Sequence, residues 1–245
     1  MRTAVVCIAK NEDRYIKEWA EYHLKLGFDS VYIYQNDWRT DLEMPNVFKK
    51  VIDGKCRQLD CYNKFLRKDK DHDWVAFIDV DEFIVLNKHA TINDFIKRTI
   101  KKFGKIKAIG INWVFFGSNG IEKDDGSDGV LKRFTKREKM SFKVKSIVRV
   151  DKSIEMGVHN PLNCEVVGSN GHKFHGHINV RGSIDLIMLN HYYFKTKEEF
   201  VRKAARGKAD RLDKRNPAHY KITKHNEIED FRARDFMYPP NNDTV

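Results

Sequence analysis

The stretch Trp74-Val75-Ala76-Phe77-Ile78, running straight into Asp79-Val80-Asp81-Glu82, constrains this chain most. Five apolar residues, mostly β-branched or aromatic, have the composition of a strand buried on both faces. Such strands belong to parallel sheets covered by helices on either side. Two carboxylates two residues apart then stand where the strand emerges. Burying them unpaired is costly, so they are expected to be solvated or neutralised by a cation. Oxygen ligands suit Mg2+ or Mn2+, the ions that bridge nucleotide phosphates. The pair therefore points to a metal-nucleotide site; a solvated turn or a helix cap is the plain alternative.

The first hundred or so residues alternate strand and helix. Thr3–Ala9 reads as a strand, and Asn11 as the cap of a helix over Glu12–Leu26 that ends at Gly27. Strands follow at Val31–Tyr34, Val47–Ile52 and Trp74–Ile78, with Phe83–Leu86 as a short continuation. A helix is expected over Gln58–Arg67, a second from its Thr91 cap through Phe103, and a strand at Ala108–Phe116. The pattern predicts an α/β fold with a mostly parallel sheet, flanking helices and right-handed crossovers. Ligands of such sheets sit at the carboxyl ends of the strands. Asn11, Asn36, Asp37, Asp79 and Asp81 all fall at such ends and should share one rim.

From Gly117 the texture changes to a mixed α+β half. Two glycine- and acid-rich loops lead into strand-like runs near Val130–Phe134, Phe142–Val150 and Ile154–Val158, and a hairpin is expected around His172–His177. Ile184–Leu189 reads as a buried strand delivering Asn190 and His191. Thr196 caps a basic helix through about Leu212, with Glu198 and Glu199 in its first turn. The expected organisation is a nucleotide-binding half over residues 1–116, a second half of the same domain over 117–215, and a polar tail over 216–245.

A chain of 245 residues with 41% hydrophobic content can bury a substantial core, and no run of about 20 apolar residues suggests a membrane span. The first apolar run is too short for a signal peptide, so a cytoplasmic location is expected. The four cysteines form no Cys-x-x-Cys pair, which argues against a zinc ribbon, and no disulfides are expected. His172, His175 and His177 lack an evident fourth zinc ligand. The net charge of +11 is clustered in Lys97–Lys107, in Lys132–Arg149 and in Lys195–Arg211. That distribution fits an anionic partner or a solvated basic face.

In order along the chain, the motifs resemble a GT-A glycosyltransferase of the family-2-like and family-92-like group. The series begins with Cys7-Ile8-Ala9-Lys10-Asn11-Glu12, Glu18-Trp19-Ala20-Glu21-Tyr22-His23 and Val31–Asp37. Gln58, Tyr62-Asn63 and Trp74–Phe83 come next, followed by Trp113 with Phe116–Gly120. Lys145–Val148, His159-Asn160-Pro161, His191-Tyr192 and Lys195–Phe200 complete it. The resemblance spans about residues 3–207. It implies a nucleotide-sugar donor, by default a UDP-sugar, a glycan or lipid-linked acceptor, Mn2+ or Mg2+ as cofactor, and inversion at the anomeric carbon.

By the same resemblance Asp79 and Asp81 form the Asp-x-Asp pair, with Asp81 on the metal and Asp79 on the ribose or the metal. Asn11, Glu12, Asn36 and Asp37 line the base and ribose pocket, and Asn63 faces the nucleotide. His191 is the first choice for an added metal ligand, with His159 as the alternative. An inverting enzyme needs a general base, for which Asp125 is the candidate among the acids after Gly117. A nucleic-acid- or membrane-binding protein would explain the charge but would leave Asp79, Asp81 and Glu82 without a role. A haloacid-dehalogenase-like phosphatase would carry its acidic pair after the first strand. No nucleic acid partner is expected, and the basic helix 196–212 is a candidate for peripheral membrane contact.

Overall fold

The computed structural model describes residues 1–207, 210, 212, 216–220 and 224–240. The N-terminal half runs β1 (Thr3–Ala9), α1 (Asp13–Lys25), β2 (Ser30–Gln35), β3 (Val47–Val51), α2 (Gln58–Lys68), β4 (Trp74–Phe77), β5 (Glu82–Leu86), α3 (Ile92–Phe103) and β6 (Ala108–Phe115). The second half adds β7 (Lys136–Arg137), β8 (Val144–Arg149), β9 (Val166–Gly168), β10 (Lys173–Phe174), β11 (Ile187–His191), α4 (Lys197–Arg206), a 3-10 turn (Pro217–His219), β12 (Ile228–Glu229) and α5 (Arg232–Met237).

β3, β2, β1 and β4 form a parallel block; β8 enters antiparallel beside β4, and β6, β9 and β10 extend the sheet. Both faces are covered, as the apolar runs predict. Val5, Cys7, Ala76 and Ile78 belong to the core on one side of the sheet, and Ala4, Val6, Val75 and Phe77 to that on the other. The sequence expectation differs at Phe83–Leu86, which does not continue β4. The chain turns at Asp79, whose carbonyl accepts from Glu82 N at 3.0 Å, and β5 leaves to pair antiparallel with β11. β11 in turn runs parallel to β6, so it joins the acidic turn to the rest of the sheet.

Helix α1 fixes this turn from behind. Trp19 Nε1 donates to the Glu82 carbonyl at 2.9 Å and Tyr22 Oη to that of Ile84 at 2.8 Å. His23, one helical step along the same face, is fully buried. Its Nδ1 lies 2.8 Å from the Trp19 carbonyl, and its Nε2 accepts from Ile84 N at 3.4 Å. Burial lowers its pKa to about 3. A histidine that must stay neutral when folded binds its proton only on unfolding, so stability falls as pH drops below the ordinary histidine value of about 6.5. We expect denaturant titrations to show about 2 kcal/mol less stability from this site at pH 5 than at pH 6.5. His23→Gln should flatten that part of the pH dependence; an unchanged slope would rule out this role.

Other local expectations are corrected. Asn11 does not cap α1: it is exposed with φ 53°, and Glu12 occupies the cap position. Thr91 and Thr196 do cap their helices, Thr196 within a reciprocal capping box with Glu199. Val130–Phe134 is a turn that buries Val130, Leu131 and Phe134, and Ile154–Val158 is a loop with one isolated bridge, Met156 to Pro161, rather than a strand. The His172–His177 hairpin is β10 returning on β9. Helix α4 ends at Arg206, before Gly207 at φ 87°, rather than near Leu212. The segment expected as a tail packs back: β12 pairs with β7, Ala233 is buried, and Tyr238 Oη hydrogen-bonds Glu18 at 3.0 Å. Residues 241–245 of that expected tail lie outside the described residues.

Candidate active site

A cavity of about 750 Å3 opens at the carboxyl ends of β1, β2 and β4. One part of its lining is polar, with Glu12, Asn36, Asp37, Gln58, Asp79 and Asp81; the other is aromatic, with Trp113, Phe115, His191, Tyr193, Phe194 and His225.

Asp79 is the more open carboxylate. It accepts from Gln58 Nε2 at 3.2 Å and from Lys145 Nζ at 3.3 Å, and its own backbone N–H donates to Glu82 Oε2 at 2.8 Å. Lys145 is fully buried in β8, with its ammonium also 3.2 Å from the Val158 carbonyl and 3.8 Å from Glu82. Burial opposes that charge, but Asp79 and Glu82 outweigh it and hold Lys145 above the ordinary lysine value. Glu82 is completely enclosed, and burial pushes its carboxyl well above the usual range despite Lys145.

Asp81 is buried and ion-paired with Lys203 from α4. Burial would raise its pKa; Lys203, His191 and Lys195 together hold it well below the usual carboxylate range. Its carbonyl accepts from Tyr192 N at 2.8 Å, tying the turn to the end of β11. His191 is stacked on Phe115 with centroids 4.9 Å apart and meets the edge of Trp113. Burial lowers its pKa, which leaves a neutral imidazole. His191 Nδ1 and Glu82 Oε1 are both buried without a hydrogen-bond partner among the described residues, 3.9 Å apart.

Asp81 Oδ2 lies 3.7 Å from His191 Nε2. Two ligands each about 2.1 Å from one Mg2+ can be no more than about 4.2 Å apart, so this carboxylate and imidazole fit a common divalent ion. Lys203 holds the same oxygen. Asp79 faces Gln58 and Lys145 instead, and among the described residues no three His, Cys, Asp or Glu side chains converge as a ready metal cage. Mg2+ commonly takes one or two protein ligands and fills its shell with water and phosphate oxygens, so a two-donor site suits it. His159 also lines the cavity, against Trp113 and His177, and burial lowers its pKa to about 3.

The remaining candidates divide. Glu12 and Asp37 line the cavity; Glu12 is paired with Arg206 at 2.6 Å, and Asp37 accepts from Gly54 N and Lys10 Nζ. Asn36 also lines it, but its amide donates to the Ile52 and Gly54 carbonyls and braces the loop after β3. Asn11 lies outside this cavity and borders a smaller one of about 290 Å3. Asn63 is not in the lining: its side chain bonds both the N–H and the carbonyl of Met156 and pins that loop. Asp125 is exposed and accepts from Ser127 N at 2.9 Å, away from the cavity, so it is not placed to act as a base there.

The basic helix also differs from expectation. Lys203 reaches Asp81, and Arg206 reaches Glu12 and the Lys10 and Asn11 carbonyls, so both line the cavity rather than face outward. Arg133 is paired with Glu199, and Arg202 with Asp124. Lys195 is buried with its ammonium 3.5 Å over the Tyr15 ring, and burial pulls its pKa down to about 8. Lys208 and Arg211 lie outside the described residues. No helix among the described residues is long and apolar enough to cross a membrane.

Lys145, Lys203, Arg206 and His225 were not assigned to the site from the sequence. Lys145 stands in a strand with Val144, Ile147 and Val148, but Lys143 and Arg149 flank it within the basic run Lys132–Arg149, so its composition did not mark it.

A largely parallel sheet with an Asp-x-Asp turn on its carboxyl rim, flanked by helices, is a mixed α/β architecture. Among solved structures, S. aureus TarS in complex with UDP is similar at 14% identity and a TM-score of 0.37, covering 61% of this chain and 47% of that one. The chain belongs to glycosyltransferase family 92, whose profile matches residues 56–233. A family 92 protein of Ricinus communis is 26% identical over 220 residues, covering 82% of this chain and 38% of the relative. One of Oryza sativa subsp. japonica is 27% identical over 231 residues, covering 86% and 37%. The chain thus spans less than two fifths of the length of these curated relatives.

Proposed function

We propose that this chain transfers a glycosyl group from a nucleotide-sugar, by default a UDP-sugar, to a hydroxyl of a glycan or lipid-linked acceptor, with inversion and with Mn2+ or Mg2+. The observation that carries this reading is one cavity in which Asp81 and His191 face Lys203 and Arg206 beside an aromatic wall. Carboxylate and imidazole suit a divalent ion, the two cations suit phosphate oxygens, and aromatic faces suit a sugar ring.

Each residue has a defined task. Asp81 and His191 hold the ion, which when bound supplies Lewis-acid neutralisation of the departing diphosphate. Lys203 exchanges its Asp81 partner for a phosphate oxygen as the nucleotide enters. Arg206, in the lining beside Glu12, supplies a second cation to the diphosphate. Lys145 holds Asp79 in place through their ion pair, and Asp37 offers a carboxylate to the ribose hydroxyls. Internal pairing of Lys145, Arg133, Arg202, Lys203 and Arg206 argues against a general polyanion-binding face, because these cations already have carboxylate partners.

Calorimetric titration of UDP tests the reading. Binding is expected to strengthen at least tenfold when Mn2+ is added. A protein that binds no UDP with or without Mn2+ would sink the proposal.

A further inference from the structure

Asp125 lies outside the cavity, and the aromatic part of the lining offers another candidate base. His225 lines the cavity, and its Nδ1 lies 2.8 Å from Glu138 Oε2. Engagement of Nδ1 by a carboxylate fixes the tautomer and leaves Nε2 as the ring nitrogen available to the cavity, the arrangement of an oriented general base.

The position is built rather than incidental. His225 has φ 61°, uncommon for a residue with a side chain. Its carbonyl accepts from Gly117 N at 2.9 Å, and its ring stacks on Phe194 with centroids 4.9 Å apart. Glu138 is fixed in turn by the end of β6: its Oε1 accepts from Phe115 N at 3.3 Å, and its own N–H donates to the Phe115 carbonyl at 3.0 Å. A Cβ on Gly117 would stand 2.2 Å from Asn226 Oδ1 and 2.5 Å from the Lys224 carbonyl, so only glycine lets this loop approach β6. The Phe115 ring contacts both imidazoles, His225 at 5.4 Å and His191 at 4.9 Å between centroids. His225 is thus linked to the Asp81–His191 pair through one aromatic ring of the same cavity lining.

We propose that His225, positioned by Glu138, is the general base that activates the acceptor hydroxyl. This rests on the glycosyl-transfer reading above. The acceptor O–H proton passes to His225 Nε2 as the oxygen lone pair bonds to the anomeric carbon. The bond from that carbon to the diphosphate breaks, and its electron pair leaves on the diphosphate oxygen. Glu138 stabilises the imidazolium, which returns its proton to solvent.

The test compares wild type, His225→Ala, His225→Asn and Glu138→Gln. UDP affinity is measured with Mn2+, and UDP release from UDP-glucose, UDP-galactose and UDP-N-acetylglucosamine is followed with water and with a mixture of simple glycosides as acceptors. UDP affinity should stay within twofold in every variant, which also reports that each is folded. Turnover should fall about 100-fold or more in both His225 variants, and added imidazole should restore part of it in His225→Ala. Glu138→Gln should lower kcat about tenfold with the donor KM unchanged. Turnover in His225→Ala and His225→Asn within threefold of wild type overturns the assignment, as does UDP binding without UDP release from any of the three donors by the wild type. Failure of the wild type to bind UDP at all overturns the parent reading instead.

Discussion

Asp81→Ala is expected to remove the Mn2+-dependent part of UDP binding and to lower glycosyl transfer by about 1000-fold or more. The size follows from the chemistry at this carboxylate. It is the oxygen donor nearest His191, and a metal acting on a departing diphosphate is worth several kcal/mol, of which about 4 kcal/mol corresponds to 1000-fold in rate. Lys203 cannot replace the loss, since an ammonium is no ligand for a cation and the ion is left with one ligand fewer. Asp125→Ala is the matched control. Its side chain bonds Ser127 outside the cavity, so its turnover should remain within twofold of wild type. Metal-dependent UDP binding that survives intact in Asp81→Ala would refute the role given to this residue.

Lys145→Met should be the most damaging single change to stability among the site residues. The ammonium is fully buried, 3.3 Å from Asp79 and 3.8 Å from Glu82. Methionine fills the stem but removes the only cation within ion-pair distance of these two carboxylates among the described residues. Breaking a buried pair in this way costs about 3–5 kcal/mol, because the partner charge stays behind. Asp79 is more than a third exposed on its side chain, so solvent offsets some of that cost and about 3 kcal/mol is the expected loss. Asp79→Asn in the same chain should recover at least about 1 kcal/mol, because the two positions share one interaction. Urea denaturation of the two single variants and the double variant measures the coupling; strict additivity would show that Lys145 and Asp79 do not depend on one another.

The sheet was legible where strands were buried on both faces. β1 and β4 are continuous apolar runs, and no other element suits such composition in an alternating α/β chain. The caps at Thr91 and Thr196 were legible for a local reason: each hydroxyl bonds a backbone N–H three residues away. The misreadings share a physical cause. Val130–Phe134 and Ile154–Val158 are apolar because they bury side chains against the core, and short apolar runs do not distinguish a strand from a packed turn. The residues after Asn216 look polar because two- and six-residue elements carry no readable period, yet their partners β7 and Glu18 lie far away in sequence. Of the site, the acidic turn and His191 were legible as strand-end residues. Lys145 and Lys203 were hidden among basic clusters, because charge composition does not report which way a side chain points.

The three-strand junction of β5, β11 and β6 also sets how the site breathes. Asp81 is hydrogen-bonded to Tyr192 at the end of β11, and the strands on either side hold the rest, so the cavity floor can open only together with the sheet. Helix α4 has ten residues, joined through Lys195 in a left-handed conformation and ended by Gly207. Amide deuterium uptake should therefore separate the two by orders of magnitude in rate, slow along β11 and fast along α4. A nucleotide that engages Lys203 and Arg206 would then register as protection of the helix, with the floor beneath it already too slow to change.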